Sequence, residues 1–317
     1  MKTVQVSFLG LGVIGLQLLK YIIREREGVR KQYGVELQIN KIFVKNLSKD
    51  RGEVVEKEWL TDRPYEAMEH ADLIVECIGG NGYKCTKDYV MWALNHRKPV
   101  IMSSKKCLAM YGTEIQKAAE KMQTVIKYDA TVGGGIPIST VLEHMGKCEQ
   151  VEEIYGISNA TSNYILTKMK QENMSYKEAL QEAQKQGIAE NNPKEDVDGW
   201  DSVYKTVILA GFGMNVWINP QEVTPVSITH SKVELDQMVK PIFSVVYDER
   251  KRTAHVKVKP EIVEAGSILS CVNGTDNLFV IRGSESGERA FYGAGAGARP
   301  TASAMFDDMI KVLEDWI

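Results

Sequence analysis

Cysteine is scarce in this sequence, and what there is of it is scattered. Cys77, Cys85, Cys107, Cys148 and Cys271 are odd in number and form no CxxC pair or Cys/His ligand spacing. That excludes a disulfide framework and a zinc site, and it fits free thiols in a reducing cytoplasm. Long apolar runs are missing as well. No uninterrupted apolar stretch of about 18 residues occurs, so a membrane span is not expected. Neither sign of charge is in excess: 39 basic against 42 acidic residues leave a net charge of −3, which announces no nucleic-acid partner. The apolar stretch 8–19 behind Lys2 is interrupted by Gly10, Gly12 and Gly15 and is followed by no small-residue cleavage site, so it is expected to be folded, mature protein.

What is left is a globular chain. Its 44% hydrophobic and 26% charged residues are those of an ordinary soluble protein, and 317 residues at roughly 150 per domain predict two domains. The first 130 residues alternate strand-like and helix-like patterns. The run 4–9 is apolar and β-branched and ends on glycine, and Ile14, Leu18, Ile22 and Ile23 then recur at helical spacing. Segments 37–44, 73–78, 99–102 and 125–128 read as further strands, with helical patterns at 91–94 and 115–122. This alternation predicts an α/β domain over 1–130, a doubly wound parallel sheet of the Rossmann type. Beyond it, helices at 138–147, 162–170, 176–186 and 199–212 mix with strands at 151–156, 242–248, 254–259 and 278–282, which predicts an α+β domain over 131–300. Segment 301–317 carries Met305, Phe306, Met309, Ile310 and Leu313 along one stripe. It is expected to be an amphipathic helix that completes the first domain. Dimerisation then falls to the second domain, through strands such as 151–156 and 242–248.

Gly10-Leu11-Gly12-Val13-Ile14-Gly15 follows the first strand at once and opens a helix. In a dinucleotide-binding turn the first glycine makes the tight bend and the second admits the pyrophosphate. The third lets helix and strand pack, and the helix N-terminus faces the phosphates. Gly10, Gly12, Val13, Ile14 and Gly15 are therefore assigned to cofactor binding. The second strand ends without a carboxylate for an adenosine ribose; Lys45, Lys49 and Arg51 stand there instead. Lys45 favours NADP over NAD, the bland alternative being solvated surface lysines. Gly79-Gly80-Asn81-Gly82 closes another strand and is either a close approach of backbone to cofactor, at Gly79, or an ordinary turn. Ser103-Ser104-Lys105-Lys106 also sits after a strand, where Ser103 can meet cofactor and one lysine can face the crevice.

In the segment 196–205, a helix beginning near Asp198 puts Asp201 and Lys205 four residues apart on one face that runs on into Ile208 and Leu209. Lys205, near Glu190, Asp196 and Asp201, is a candidate acid or base, and a capping cluster with an ion pair is the rival reading. Segment 128–137, with Asp129 and three consecutive glycines, offers carbonyls and a carboxylate to a hard cation, or is only a hinge. The glycine-rich stretch 292–297, with Gly295, faces a ligand or simply returns the chain.

Taken together these segments resemble homoserine dehydrogenases over nearly the whole length. The resemblance rests on the GxGxxG start, SSKKCLA (103–109), YDATVGGGIPI (128–138), GISNATSNYILTKM (156–169), GIAENNPKEDVDGWDSVYK (187–205) and GAGAGARPTA (293–302). It implies interconversion of L-homoserine and L-aspartate 4-semialdehyde with a nicotinamide cofactor, in a homodimer. It makes Lys205 the proton-transferring residue and Lys106 the second active-site lysine, with Glu190, Asp196 and Asp201 as substrate-binding carboxylates. It also implies a monovalent cation, sodium, at Asp129 and the carbonyls of Val132 and Gly134. The sequence departs from the family at Lys105 (Asn is usual), at Asp129 (Glu is usual), at Asn192, and in NATSNY, where NGTTNY is usual. It stops after the returning helix, so the regulatory domain of some members is expected to be absent, and with it non-competitive inhibition by threonine.

Hydride transfer to an aldehyde develops negative charge on its oxygen, and a lysine can meet it as cation and proton donor. The substrate's ammonium calls for carboxylates. A family member acting on another amino alcohol, or a non-catalytic NADP-binding sensor, are the competing readings. A thiolate mechanism through Cys148 and His144 is discounted, because that segment lacks glycine-rich positioning.

Overall fold

The computed structural model describes residues 1–231 and 237–316. In chain order its strands and α-helices are β1 (Lys2–Leu9), α1 (Val13–Tyr33), β2 (Val35–Phe43), β3 (Leu60–Thr61), α2 (Pro64–Glu69), β4 (Leu73–Glu76), α3 (Tyr83–Asn95), β5 (Val100–Met102), α4 (Lys105–Met122) and β6 (Ile126–Lys127). There follow α5 (Ile138–Met145), β7 (Val151–Ile157), α6 (Ala160–Gln171), α7 (Tyr176–Lys185), α8 (Lys194–Val197), α9 (Trp200–Met214), β8 (Met238–Asp248), β9 (Thr253–Val263), β10 (Asp276–Gly283), β11 (Gly287–Ala294) and α10 (Ala298–Glu314). Two compact units result, Met1–Thr131 with Gly297–Ile317, and Val132–Ala296. Ile317, where the expected last helix ends, lies outside the described residues.

In the first unit six parallel strands stand in the order β3-β2-β1-β4-β5-β6. The chain starts in the middle, at β1, and runs outward first one way and then the other, which puts the switch point between β1 and β4. One face of β1 is apolar: Val4, Val6 and Phe8 are buried in one core with Leu18, Leu19 and Ile22 of α1 and Met305, Met309, Val312 and Leu313 of α10, while the other face carries Gln5, the buried Ser7 and the buried Leu9.

The second unit is built on a sheet of order β11-β10-β7-β8-β9, antiparallel at every pairing. Here the expected dimer contact needs correction. β7 is bonded on both sides, to β10 and β8, and β8 lies between β7 and β9. The backbone groups of 151–156 and 242–248 are engaged inside the sheet, and the edges among the described residues are β9 and β11. The stretch 292–297 is likewise not wholly a loop, since β11 runs through it to Ala294. Helix α9 is buried along almost its whole length. Gly199 starts it at φ +85°, where a Cβ would stand 3.0 Å from Pro225 Cβ and 3.1 Å from Val258 Cγ1.

Candidate active site

In the first unit the β1–α1 turn is held by glycine for reasons of space. Gly10 has φ +95°, and a Cβ there would lie 2.7 Å from the Cys77 carbonyl oxygen at the end of β4. A Cβ on Gly15 would lie 3.0 Å from the Gly10 carbonyl oxygen and 3.2 Å from Cys77 Cβ. Gly12 by contrast has open space around it. It caps α1 without any side-chain bond, and no acidic residue occupies the first turn. The turn therefore presents bare N–H groups and the positive end of a helix of 21 residues, an arrangement made for phosphate. Val13 is exposed beside it, and Ile14 packs on the core.

Beyond β2, Lys45 and Lys49 are exposed. Asn46 Oδ1 turns the loop by accepting from Ser48 N at 2.9 Å. The Arg51 guanidinium folds into the same loop, its Nη1 donating to Lys49 O at 2.7 Å and its Nη2 to Asn46 O at 2.7 Å. Its Nε is buried with no partner among the described residues.

The loops after β4 and β5 are joined by a residue that sequence reasoning missed. Glu76, fully buried at the end of β4, accepts from Ile78 N at 2.6 Å, Ser104 N at 2.9 Å and Ser103 N at 3.2 Å. Burial pushes its carboxyl up to about 7, against the pull of these three donors. Ser103 Oγ also donates to the Glu76 carbonyl at 3.1 Å, so this hydroxyl is engaged in the protein. Gly79 precedes a short 3-10 turn, Gly80–Gly82. Lys106, in the first turn of α4, has its Nζ 5.4 Å from the centroid of the Tyr83 ring.

Asp129 is 1% exposed. Its Oδ2 pairs with Lys311 Nζ at 3.2 Å, and its N–H donates to Asp308 Oδ2 at 2.9 Å. Lys311 also reaches Asp308 Oδ1 at 3.2 Å and Asp307 Oδ2 at 2.8 Å. Burial and the neighbouring Asp129 push the Asp308 carboxyl up to about 7. The carboxylate expected to hold a metal cation is thus held by an ammonium. Among the described residues no group of three or more His, Cys, Asp or Glu side chains is placed to hold a metal ion.

The second unit brings three of its predicted residues together, Asp196 from α8 and Asp201 and Lys205 from α9. Asp201 Oδ2 and Lys205 Nζ are 2.9 Å apart with both residues buried, as the i, i+4 spacing requires. Lys205 Nζ also donates to the Ser158 carbonyl at 2.5 Å. Asn159 completes the group: its Nδ2 donates to Asp196 Oδ1 at 2.7 Å and to Asp201 Oδ2 at 2.8 Å. One amide nitrogen, with two hydrogens, thereby fixes the spacing of two carboxylates. Its Oδ1 at the same time caps α6 by accepting from Ser162 N at 2.8 Å. The sequence signal for Asn159 was an asparagine between a strand and a helix, a capping position. Glu190 stands apart, exposed in the loop between α7 and α8, and no hydrogen bond among the described residues ties its carboxylate to the cluster. Val132, Gly134 and Gly295 belong to the same unit. Gly134, at φ +61°, lies so close to Gly295 that a Cβ would come within 2.7 Å of the Gly295 carbonyl.

Two family models match the chain: "Homoserine dehydrogenase, NAD binding domain" over residues 10–129 and "Homoserine dehydrogenase" over residues 137–310. The homoserine dehydrogenase of Bacillus subtilis is 34% identical over 99% of this chain and 74% of its own length. The crystal structure of a homoserine dehydrogenase from Thiobacillus denitrificans superposes with a TM-score of 0.90 at 30% identity, covering 99% of this chain and 74% of that one. A hyperthermophilic archaeal homoserine dehydrogenase in complex with NADPH gives 0.82 at 26% identity, over 99% and 98% of the two chains. A phosphate-ready turn in one unit and a buried lysine–carboxylate cluster in the other agree with these likenesses: the chain belongs to the homoserine dehydrogenase family.

Proposed function

We propose that the chain interconverts L-homoserine and L-aspartate 4-semialdehyde with NADP, and that Lys205 moves the proton. The observation that carries this reading is the buried Lys205–Asp201 pair anchored on the Ser158 carbonyl. A bound nicotinamide supplies hydride transfer to and from the alcohol carbon. The residues present fit such a cofactor: Gly10, Gly12, Val13, Ile14 and Gly15 form the phosphate turn, with Gly79, Ser103 and Gly295 as further contacts. The exposed Lys45, with Lys49 and Arg51 in the same loop and no carboxylate at the end of β2, supports a 2′-phosphate, hence NADP over NAD. The NADPH held by the archaeal relative is consistent with that choice.

Two N–H bonds of Lys205 are committed, to Asp201 and to Ser158 O. The third, without a partner among the described residues, is the one to give a proton to the aldehyde oxygen. In homoserine oxidation the neutral amine takes the hydroxyl proton at the same atom. Asp196 and Asp201, with Glu190 from its loop, attract the substrate's α-ammonium, and Lys106 is the second active-site lysine. A sodium ion on the Asp129 carboxylate, with the carbonyls of Val132 and Gly134, does not fit, because Lys311 already pairs with that carboxylate; no step is routed through a cation. A homodimer in the cytoplasm completes the proposal, supported by the open strands β9 and β11 and by five free thiols.

The test is reduction of NADP by purified protein with L-homoserine, beside a panel of other amino alcohols and beside NAD. Turnover of another amino alcohol in preference to homoserine would replace the substrate reading and leave the chemistry. No turnover of any would remove it.

A further inference from the structure

We infer that Asn277 is a positioning residue for Lys205 and acts through the carbonyl of Ser158, an inference that rests on Lys205 being the proton-transferring group. Strands β7 and β10 pair antiparallel with Leu278 opposite Ile157, and the ladder stops there. Asn277 and Ser158 are the next opposed positions. In place of another ladder bond, Asn277 Nδ2 donates to Ser158 O at 3.0 Å. The same oxygen accepts from Lys205 Nζ at 2.5 Å. A carbonyl oxygen has two lone pairs. With the amide on one of them, a single direction remains for the lysine.

Two further observations show that the amide is built in for its nitrogen. Asn277 is fully buried, yet its Oδ1 has no hydrogen-bond partner among the described residues. A bare buried acceptor is a standing cost to the fold, which a leucine of similar outline would avoid. What asparagine supplies here is the N–H donor. The backbone around it is also cut to fit. A Cβ on Gly295 would fall 1.9 Å from Asn277 Cγ, and a Cβ on Gly134 would fall 2.7 Å from the Gly295 carbonyl carbon. Gly134 thus lets Gly295 approach, Gly295 lets the amide lie flat, and the amide holds the carbonyl on which Lys205 rests. The glycine-rich segments around 134 and 295 thereby gain a role in orienting the lysine.

The test compares Asn277→Leu, which keeps the branched outline and removes the donor, with Asn277→Ala, which cannot press on Gly295 if the leucine variant folds poorly. Each is assayed well below its own melting temperature. The expected result is a kcat lower by about ten- to a hundred-fold, the scale of a small misplacement of a reacting group. KM for homoserine should stay within about threefold, and the cofactor dissociation constant should not change, because the effect acts on the chemical step alone. In a Lys205→Ala background the same substitution should cost nothing more, since residues acting through one another are not additive. Wild-type kcat in both variants, or an equal further loss without Lys205, would overturn the inference. If Lys205→Ala alone keeps full turnover, the acid–base reading itself fails and this inference goes with it. That result is distinguishable from an inactive Lys205→Ala beside fully active Asn277 variants.

Discussion

Replacing Glu76 by glutamine tests how the cofactor side of the molecule is held together. The carboxylate serves three backbone N–H groups, Ile78 on Oε1 and Ser103 and Ser104 on Oε2. A glutamine has one accepting oxygen. In its more favourable orientation that oxygen keeps Ser103 and Ser104 and turns an NH2 toward Ile78, leaving one buried donor unmet at about 1–3 kcal/mol. For a unit of this size, at about 2–4 °C per kcal/mol, that lowers the melting temperature by about 2–12 °C. The effect also depends on pH. Burial raises the folded carboxyl from 4.5 to about 7, so between these values the folded state binds the extra proton. The contribution of Glu76 to stability is therefore complete below the unfolded pKa and is lost as pH rises through about 7. The shift corresponds to about 3 kcal/mol across that window. Glutamine cannot titrate, and Asp308, raised likewise, cancels on subtraction. Wild type should thus exceed Glu76→Gln by more at about pH 5 than at about pH 8, read by thermal unfolding across that range. Cofactor affinity should fall with it, because both tethered loops carry proposed contacts. A stability gap that stays constant, or that widens toward alkaline pH, would mean that the three donors keep the folded carboxylate ionised, and would refute the reasoning.

Lys205→Ala is expected to lower kcat by about 10²–10⁴-fold while cofactor binding, measured by fluorescence, stays near wild type; activity above about a tenth of wild type would remove its role. Lys45→Asp should shift the ratio of NADP to NAD affinity toward NAD, and a wild-type protein that binds NAD more tightly would remove Lys45 as the determinant. Exchange of sodium for a bulky organic cation should leave turnover unchanged, because Lys311 occupies Asp129, whereas sodium-dependent turnover would show that the ammonium yields to a metal. Lys311→Met should cost about 3–5 kcal/mol by chemical denaturation, the usual penalty for stranding buried carboxylates.

Much of the first unit is legible in the sequence because local pattern and tertiary role coincide there. β1 places Val4, Val6 and Phe8 at alternate positions, the glycines of a tight turn follow it, and α1 then repeats apolar residues at helical spacing. The same holds for α9, where Asp201, Lys205, Ile208 and Leu209 mark one face by their spacing alone. β11 is not legible in this way. Its residues are exposed on both faces apart from a few half-buried positions, so they show no alternation, and it is a strand only because β10 offers a ladder of backbone partners. The early start of α10 is hidden by Pro300, which reads as a breaker yet is tolerated in a first turn, where its missing N–H would have no partner anyway.

The site divides along the same line. Charged residues announce themselves, and the neutral amides that place them do not. Asn159 meets Asp196 and Asp201 across 37 and 42 residues of chain, and Asn277 meets Ser158 across 119. No spacing rule reaches that far, and one partner is a backbone carbonyl that any residue type would supply. Asp129 shows the same limit. Beside its sequence neighbours it is a carboxylate in a carbonyl-rich loop, which suits a metal ion. An ammonium partner, Lys311, reaches it from 182 residues away on the last helix. A buried carboxylate needs a cation of some kind, and the local sequence states that need without saying which cation meets it. Here the fold supplies the positive charge from within the chain.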